Sequence, residues 1–175
     1  MIAKTPWTER KFNFDFPVTH LPCIYVRLEG TSTRIAEYIK DLSEEQLKLK
    51  PDGKWSVKEH IGHLIDLEDL HEGRLDDYRN KVKMLRAADM QNAKTYAANH
   101  NAVPVTTLLN KFHETRIHFL KQLEKMDEAA LSQSAIHPRL QQPMRVVDMA
   151  FFVAEHDDQH LVCIQEILAT LNPDQ

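Results

Sequence analysis

Apolar residues recur at intervals of three and four positions through four long stretches of the chain, the period of a helix that buries one face. An extended, proline-punctuated arm, residues 1–20, precedes them. The first stretch predicts a helix over residues 22–42, with Leu28, Ile35, Tyr38, Ile39 and Leu42 at helical spacings and "SEEQ" opening the turn beyond it. After the loop "LKPDGKW", Ser56 and Glu59 have capping-box spacing, and a second helix is predicted to about residue 85. The third starts after Pro104, at Thr106 or Thr107, and carries Leu108, Leu109, Phe112, Ile117, Phe119, Leu120 and Leu123 to about residue 126. "SAIHPRLQQPMR" breaks the pattern, and a fourth helix follows to about residue 171.

Residues 86–104 are polar and irregular, and a connection of that length between helices marks a crossover or a loop with a function. No Asn-Gly pair joins alternating apolar runs, and the Asp52-Gly53 pair leads into a helical pattern, so little or no sheet is expected. Only 4 glycines in 175 residues reinforce the helical reading, and the length suits one domain over residues 1–175. The expected fold is all-α: a four-helix bundle with a long crossover connection.

A formal charge of −4, with Lys and Arg spread along the chain, offers no basic stripe for a phosphate backbone and argues against a nucleic-acid partner. The N-terminal "MIAKTPWTERKFNFDFP" has no apolar signal core, and "MAFFVA" is far shorter than the roughly 20 residues that span a bilayer. The expectation is a cytoplasmic protein without a membrane partner. Cys23 and Cys163 form no CxxC pair and read as reduced thiols.

The fourth helix places Met149, Val153, His156, His160, Cys163, Ile167 and Thr170 at alternating spacings of four and three, the inward seam of a bundled helix. Two histidines therefore occupy core positions. Each alone reads as a hydrogen-bonded core residue, but imidazoles at i and i+4 share a face and can converge on one ion, which removes the cost of burying both unpaired. A third ligand must come from another helix. His60, His63 and His71 on the second helix and His113 and His118 on the third are candidates, and the helical wheel does not choose among His60, His63 and His71.

Other patterns carry less. In "HETRIH", His113 and His118 lie five apart, about 140° around a helix, which suits a solvated edge better than a shared ion. Glu68 and His71 make only one Glu-x-x-His unit where di-iron bundles use two. No phosphate loop or nucleophile elbow is present. Cys163 can be read as a nucleophile or fourth ligand, but a small buried core residue is the simpler reading.

The stretches "GKWSVKEHIGHLIDLE" and "AEHDDQHLVCI", with "FHETRIHFLKQL" and "HPRLQQPMRVVDM" between them, resemble the DinB/YfiT-like superfamily of metal-dependent enzymes over nearly the whole chain. The resemblance implies a four-helix bundle with a long crossover, a homodimer, and a divalent metal held by three histidines. By position these are His63 of the Trp-x7-His motif with His156 and His160 of the His-x3-His motif. It leaves His60 and His71 as neighbours of the ligands and sets Asp66, Glu68 and Asp157 nearby. Those carboxylates are either solvent-facing helix charges or acceptors that fix a ligand imidazole's tautomer.

Three neutral imidazoles with an open position make a catalytic type of site, because structural zinc is closed by four protein ligands. Zinc or nickel suits the donors. The ion would activate water, as in a hydrolase, or a low-molecular-weight thiol cosubstrate, as in a thiol transferase, against a small-molecule substrate. A non-catalytic metal- or ligand-binding bundle linked to stress is the alternative function. Glu68 and Arg74, at one end of the second helix, are positions to test as acid or base.

Overall fold

The structure, a computed structural model, describes residues 4–171; the outer ends of the expected domain, 1–3 and 172–175, lie outside the described residues. The first predicted helix is two: α1 (Leu21–Glu29) and α2 (Thr31–Ile39). At Gly30 side chains compete with the backbone ladder, as Arg34 donates to the Arg27 and Gly30 carbonyls and Thr31 Oγ1 donates to the Arg27 carbonyl at 3.1 Å. The "SEEQ" turn becomes α3 (Glu44–Leu47), capped by Ser43. Helix α4 (Val57–Arg79) begins with the expected capping box, Ser56 and Glu59 each accepting the other's amide.

α4 stops short of residue 85. Lys81 takes a left-handed conformation (φ 52°), and the Asp77 carboxylate accepts the Arg86 amide at 2.8 Å. The crossover then carries α5 (Ala93–Ala97) and leads through Pro104 into α6 (Val105–Glu124) and α7 (Glu128–Leu131). The break before the last helix is a small antiparallel hairpin, β1 (Ser134–His137) with β2 (Gln142–Arg145), pairing Ala135 with Met144. Its edge is extended by the crossover, since the Leu85 amide donates to the Ile136 carbonyl and the Ile136 amide to the Lys83 carbonyl, both at 3.0 Å. The hairpin has no Asn-Gly or Asp-Gly signal; its turn relies on Gln141 at φ 51°. α8 (Val146–Leu171) completes the bundle.

Cross-helix hydrogen bonds set the directions. Glu68 meets Arg116 and, further along both helices, Arg79 meets Gln122, so α4 and α6 run parallel. His60 meets His160 while Tyr78 meets the Met144 carbonyl, so α8 runs against α4. Tyr25 meets Glu124 and Ser32 meets His113, so α1 and α2 run against α6. Parallel neighbours cannot be joined by a tight turn, and this is the physical reason for the long crossover between α4 and α6.

The apolar core is divided. One cluster centres on Leu28, Leu75, Phe119, Met149 and Val153, the other on Ile35, Ile61, Leu64, Phe112 and Ile164. Between them runs a buried polar belt. The fully buried Arg116 guanidinium donates to Glu68 Oε1 from Nε (2.9 Å) and Nη2 (2.7 Å) and to both oxygens of Asp157, which also accepts from Thr31 Oγ1 at 2.8 Å. With the Leu28 carbonyl accepting from Arg116, all four long segments of the bundle meet in this network. Removing any one member would leave a buried charge unmatched, so the network ties these segments together.

Candidate metal centre

His63 on α4 and His156 and His160 on α8 converge beside this belt, each offering a ring nitrogen within 4.8 Å of the others. All three are buried. His156 Nε2 and His160 Nε2 are 3.2 Å apart. That is close to the edge, about 3.3 Å, of a tetrahedron with metal–nitrogen bonds of 2.0–2.1 Å.

The neighbours arrange the imidazole protons. A lone pair on His63 Nε2 requires its proton on Nδ1, and Thr95 Oγ1 lies 3.1 Å from that atom to accept it. Thr95 Oγ1 in turn donates to Asp66 Oδ2 at 2.9 Å, which also meets His100 Nε2 at 2.9 Å. His160 Nδ1 stands 2.8 Å from His60 Nδ1, so an Nε2 lone pair on His160 makes His60 the acceptor. His156 Nδ1 is buried without such a partner.

Burial holds His63 down at about 4, with the neighbouring His71 and His100 adding to it and Asp66 opposing. Burial also pushes His60 to about 4, and His156 and His160 well below the usual imidazole range, assisted for His156 by His63, His71, Arg116 and Arg139 and for His160 by His156, His60 and His63. The set is therefore neutral at pH 7, the form in which imidazole ligates a metal.

The crossover supplies both Thr95 and His100, and one glycine admits it. A Cβ on Gly62 would lie 2.1 Å from His100 Cγ, so the bare backbone of α4 is what lets the His100 ring lie against the helix and reach Asp66. Trp55, just before α4, packs on His63 with ring centroids 4.7 Å apart. From the N-terminal arm Trp7 packs on His156 at 4.9 Å.

The triad opens onto a cleft of about 560 Å³, lined also by Trp7, Trp55, His71, Arg74, His137 and Arg139. Of the second-helix candidates the fold brings His63 to the pair on α8, puts His60 behind His160, and leaves His71 on the cleft wall. His113 and His118 stay on the exposed side of α6. Cys163 is half-buried at the cleft edge, with Lys4 Nζ 3.0 Å from its sulfur, and is not the fully buried core residue the seam implies. An α-helix drifts against a 3.5-residue seam, so burial passes from Cys163 to Ile164, while Ile167 of the seam stays buried and Thr170 is exposed.

Neither reading of the three carboxylates holds throughout. Asp66 acts on His63 through Thr95, while Glu68 and Asp157 are buried partners of Arg116 and reach no ligand imidazole by hydrogen bond. Sequence reasoning missed Thr95, His100, Arg116, His137 and Arg139. The length of the polar 86–104 connection was the signal for the first two, and the others stand inside the stretches "FHETRIHFLKQL" and "HPRLQQPMRVVDM" that carry the resemblance.

The family model of the DinB superfamily matches residues 27–164. Among solved structures, YfiT from Bacillus subtilis, a probable metal-dependent hydrolase with an unusual four-helix bundle topology, is similar with a TM-score of 0.79 at 16% identity, covering 94% of this chain and 94% of that one. At that identity the likeness is one of fold. No curated protein matches the chain in sequence. No helix among the described residues is long and apolar enough to cross a membrane.

Proposed function

The chain belongs to the DinB superfamily, and from that premise we propose that it is a metal-dependent enzyme whose His63, His156 and His160 hold one divalent ion, zinc or nickel, over the cleft. The observation that carries this reading is the convergence of three buried, neutral imidazoles, two of them with Nδ1 partners that suit an Nε2 lone pair, at the wall of an open cleft. Three neutral nitrogens suit either metal and leave a position for a further ligand. When bound, such an ion acts as a Lewis acid that lowers the pKa of water or of a low-molecular-weight thiol placed at the open position.

The protein's own groups do the rest. Thr95 and His60 orient His63 and His160; Trp7 and Trp55 shield the site and offer an apolar wall to a small electrophile. Thiol transfer is favoured over hydrolysis by one feature of that wall. Among the described residues one carboxylate, Asp89, lines the cleft, and its oxygens accept the Gln91 and Ala93 amides, while Glu68, bonded through Oε1 to Arg116, and Asp66, covered by Thr95 and His100, do not line it, which leaves no ready base for water. A thiol, more acidic than water, needs no such base. Hydrolysis, the description attached to YfiT, is the second reading.

Metal content per chain, followed by spectroscopy of the cobalt-substituted protein during thiol titration, tests the proposal. About one metal per chain, abolished in His160→Ala, with a new thiolate-to-cobalt band, is the expected result. Metal without a thiol response shifts the reading to hydrolysis. Unchanged metal affinity in His160→Ala refutes the site.

A further inference from the structure

The cleft lining carries two arginines with no carboxylate to match them. Arg74 is 2% exposed, and its hydrogen bonds, both at 3.2 Å, go to the Arg86 carbonyl. Arg139 spends Nη1 on the carbonyls of Trp7 and Thr8, each at 3.2 Å, and its Nη2 is buried without a partner. Its guanidinium lies over the Trp7 and Phe152 rings, 5.4 and 5.5 Å from their centroids. His137 Nδ1 accepts the Leu140 amide at 3.2 Å, which places the proton of the neutral ring on Nε2, and Nε2 is buried with no acceptor.

Carboxylates near these groups are engaged elsewhere. Asp77 pairs with Arg86 and Asp148 with Arg145. Asp89 lines the cleft, but its oxygens accept the Gln91 and Ala93 amides at 2.9 and 2.7 Å. Among the described residues no ion pair reaches Arg74 or Arg139, whereas buried Arg116 has two. Burial pushes Arg74 down to about 10, and Arg139 is lowered for the same reason. Both remain charged at pH 7. Buried cations are ordinarily paired, and a cluster of unsatisfied donors in a concave site is complemented by an anion.

We propose that Arg74, His137 and Arg139 form an oxyanion subsite that binds a carboxylate or phosphate group of the substrate or thiol cosubstrate. The planar guanidinium forks and the His137 Nε2–H supply donors alone, the match for an acceptor-only group. The subsite stands on its own residues; that its ligand also reacts at the triad, where Trp7 bridges Arg139 to His156, rests on the metal reading.

The chain's 2 tryptophans, Trp7 and Trp55, both line the cleft, so intrinsic fluorescence reports its occupancy. Zinc-loaded and chelator-treated protein would each be titrated with glutarate, inorganic phosphate and the uncharged glutaramide. Saturable quenching or enhancement by an oxyanion and none by the diamide is expected in both forms; the tighter of glutarate and phosphate identifies the group. Arg74→Gln and Arg139→Gln should each weaken oxyanion binding about tenfold or more, the scale of one charge-assisted hydrogen bond, with zinc stoichiometry unchanged. Each variant removes an unpaired buried charge but also hydrogen bonds to backbone carbonyls, so a single cooperative melt, and not a higher melting temperature, verifies folding. Binding that is equal in wild type and both variants, or equally strong glutaramide binding, overturns the subsite and leaves the metal reading intact. Arginine-dependent oxyanion binding by a protein that takes no zinc refutes the metal reading alone.

Discussion

Replacing Gly62 with alanine tests how the crossover is coupled to the metal centre. In a helix interior the change ordinarily stabilises by about 1 kcal/mol, because alanine restricts the unfolded backbone and glycine does not. Here the new Cβ would meet His100 at 2.1 Å from Cγ, 2.2 Å from Cδ2 and 2.5 Å from Nδ1. Relief requires the buried ring to move by about 1 Å or more to reach ordinary van der Waals distance. That displacement breaks the 2.9 Å bond to Asp66 Oδ2, the same oxygen that accepts from Thr95, the partner of His63. Overpacking costs about 1–3 kcal/mol and a hydrogen bond to a charged group about 1.5–3 kcal/mol. Set against the helix gain, Gly62→Ala is expected to destabilise by about 1.5–5 kcal/mol and, by disturbing the Asp66–Thr95–His63 chain, to weaken zinc binding about tenfold or more.

Gly73→Ala is the internal control. Its nearest neighbour is also close, Arg86 Nη1 at 1.9 Å, but this is the tip of a flexible side chain that is 47% exposed and can swing into water. Swinging aside gives up the partly exposed ion pair with Asp77, worth about 1 kcal/mol or less, which offsets the helix gain, so the variant should be near neutral. Urea denaturation reads both variants, and competition with a chromophoric chelator reads zinc affinity, with Thr95→Val as the variant that removes the hydroxyl without the clash. A Gly62→Ala protein as stable as Gly73→Ala, with zinc affinity unchanged, would refute the coupling.

Arg116→Met should destabilise by about 3–5 kcal/mol, because Glu68 and Asp157 would be left buried without a counter-charge; a loss below about 1 kcal/mol by urea denaturation would mean that the two carboxylates do not depend on Arg116 for their burial. The metal-free protein should lose stability as pH falls from about 6.5 towards 4. In that window unfolded histidines bind protons while His60 and His63 stay neutral until about 4, so the unfolded form takes up more protons and gains. The effect approaches about 3 kcal/mol for each by pH 4, and a flat denaturation midpoint over that range would contradict it. Zinc should raise the melting temperature of wild type, and chelator should return it, with neither effect in His160→Ala.

Local chemistry was legible from the chain itself. Ser56 with Glu59 starts α4 because a capping box involves residues three apart, and His156 with His160 share a face because four residues make about one turn. The bundle, its long crossover and the DinB resemblance follow from such patterns and their order. Which second-helix histidine joins the pair on α8 was not decided by the wheel; family resemblance named His63, and packing brings it there while setting His60 behind His160.

The tertiary structure alone decided the partners that lie far away in sequence. Arg116 meets Asp157 across 41 residues and Glu68 across 48, and no local rule marks which carboxylate a buried guanidinium will find. Thr95, His100, His137 and Arg139 reach the site on the crossover and the hairpin, whose paths depend on Gly62 admitting a ring and on residues 83–85 pairing with β1. Helix and cap signals act over a few residues and survive in the linear order; the centre's supporting hydrogen bonds and the charge of its cleft come from long-range packing, which that order does not display.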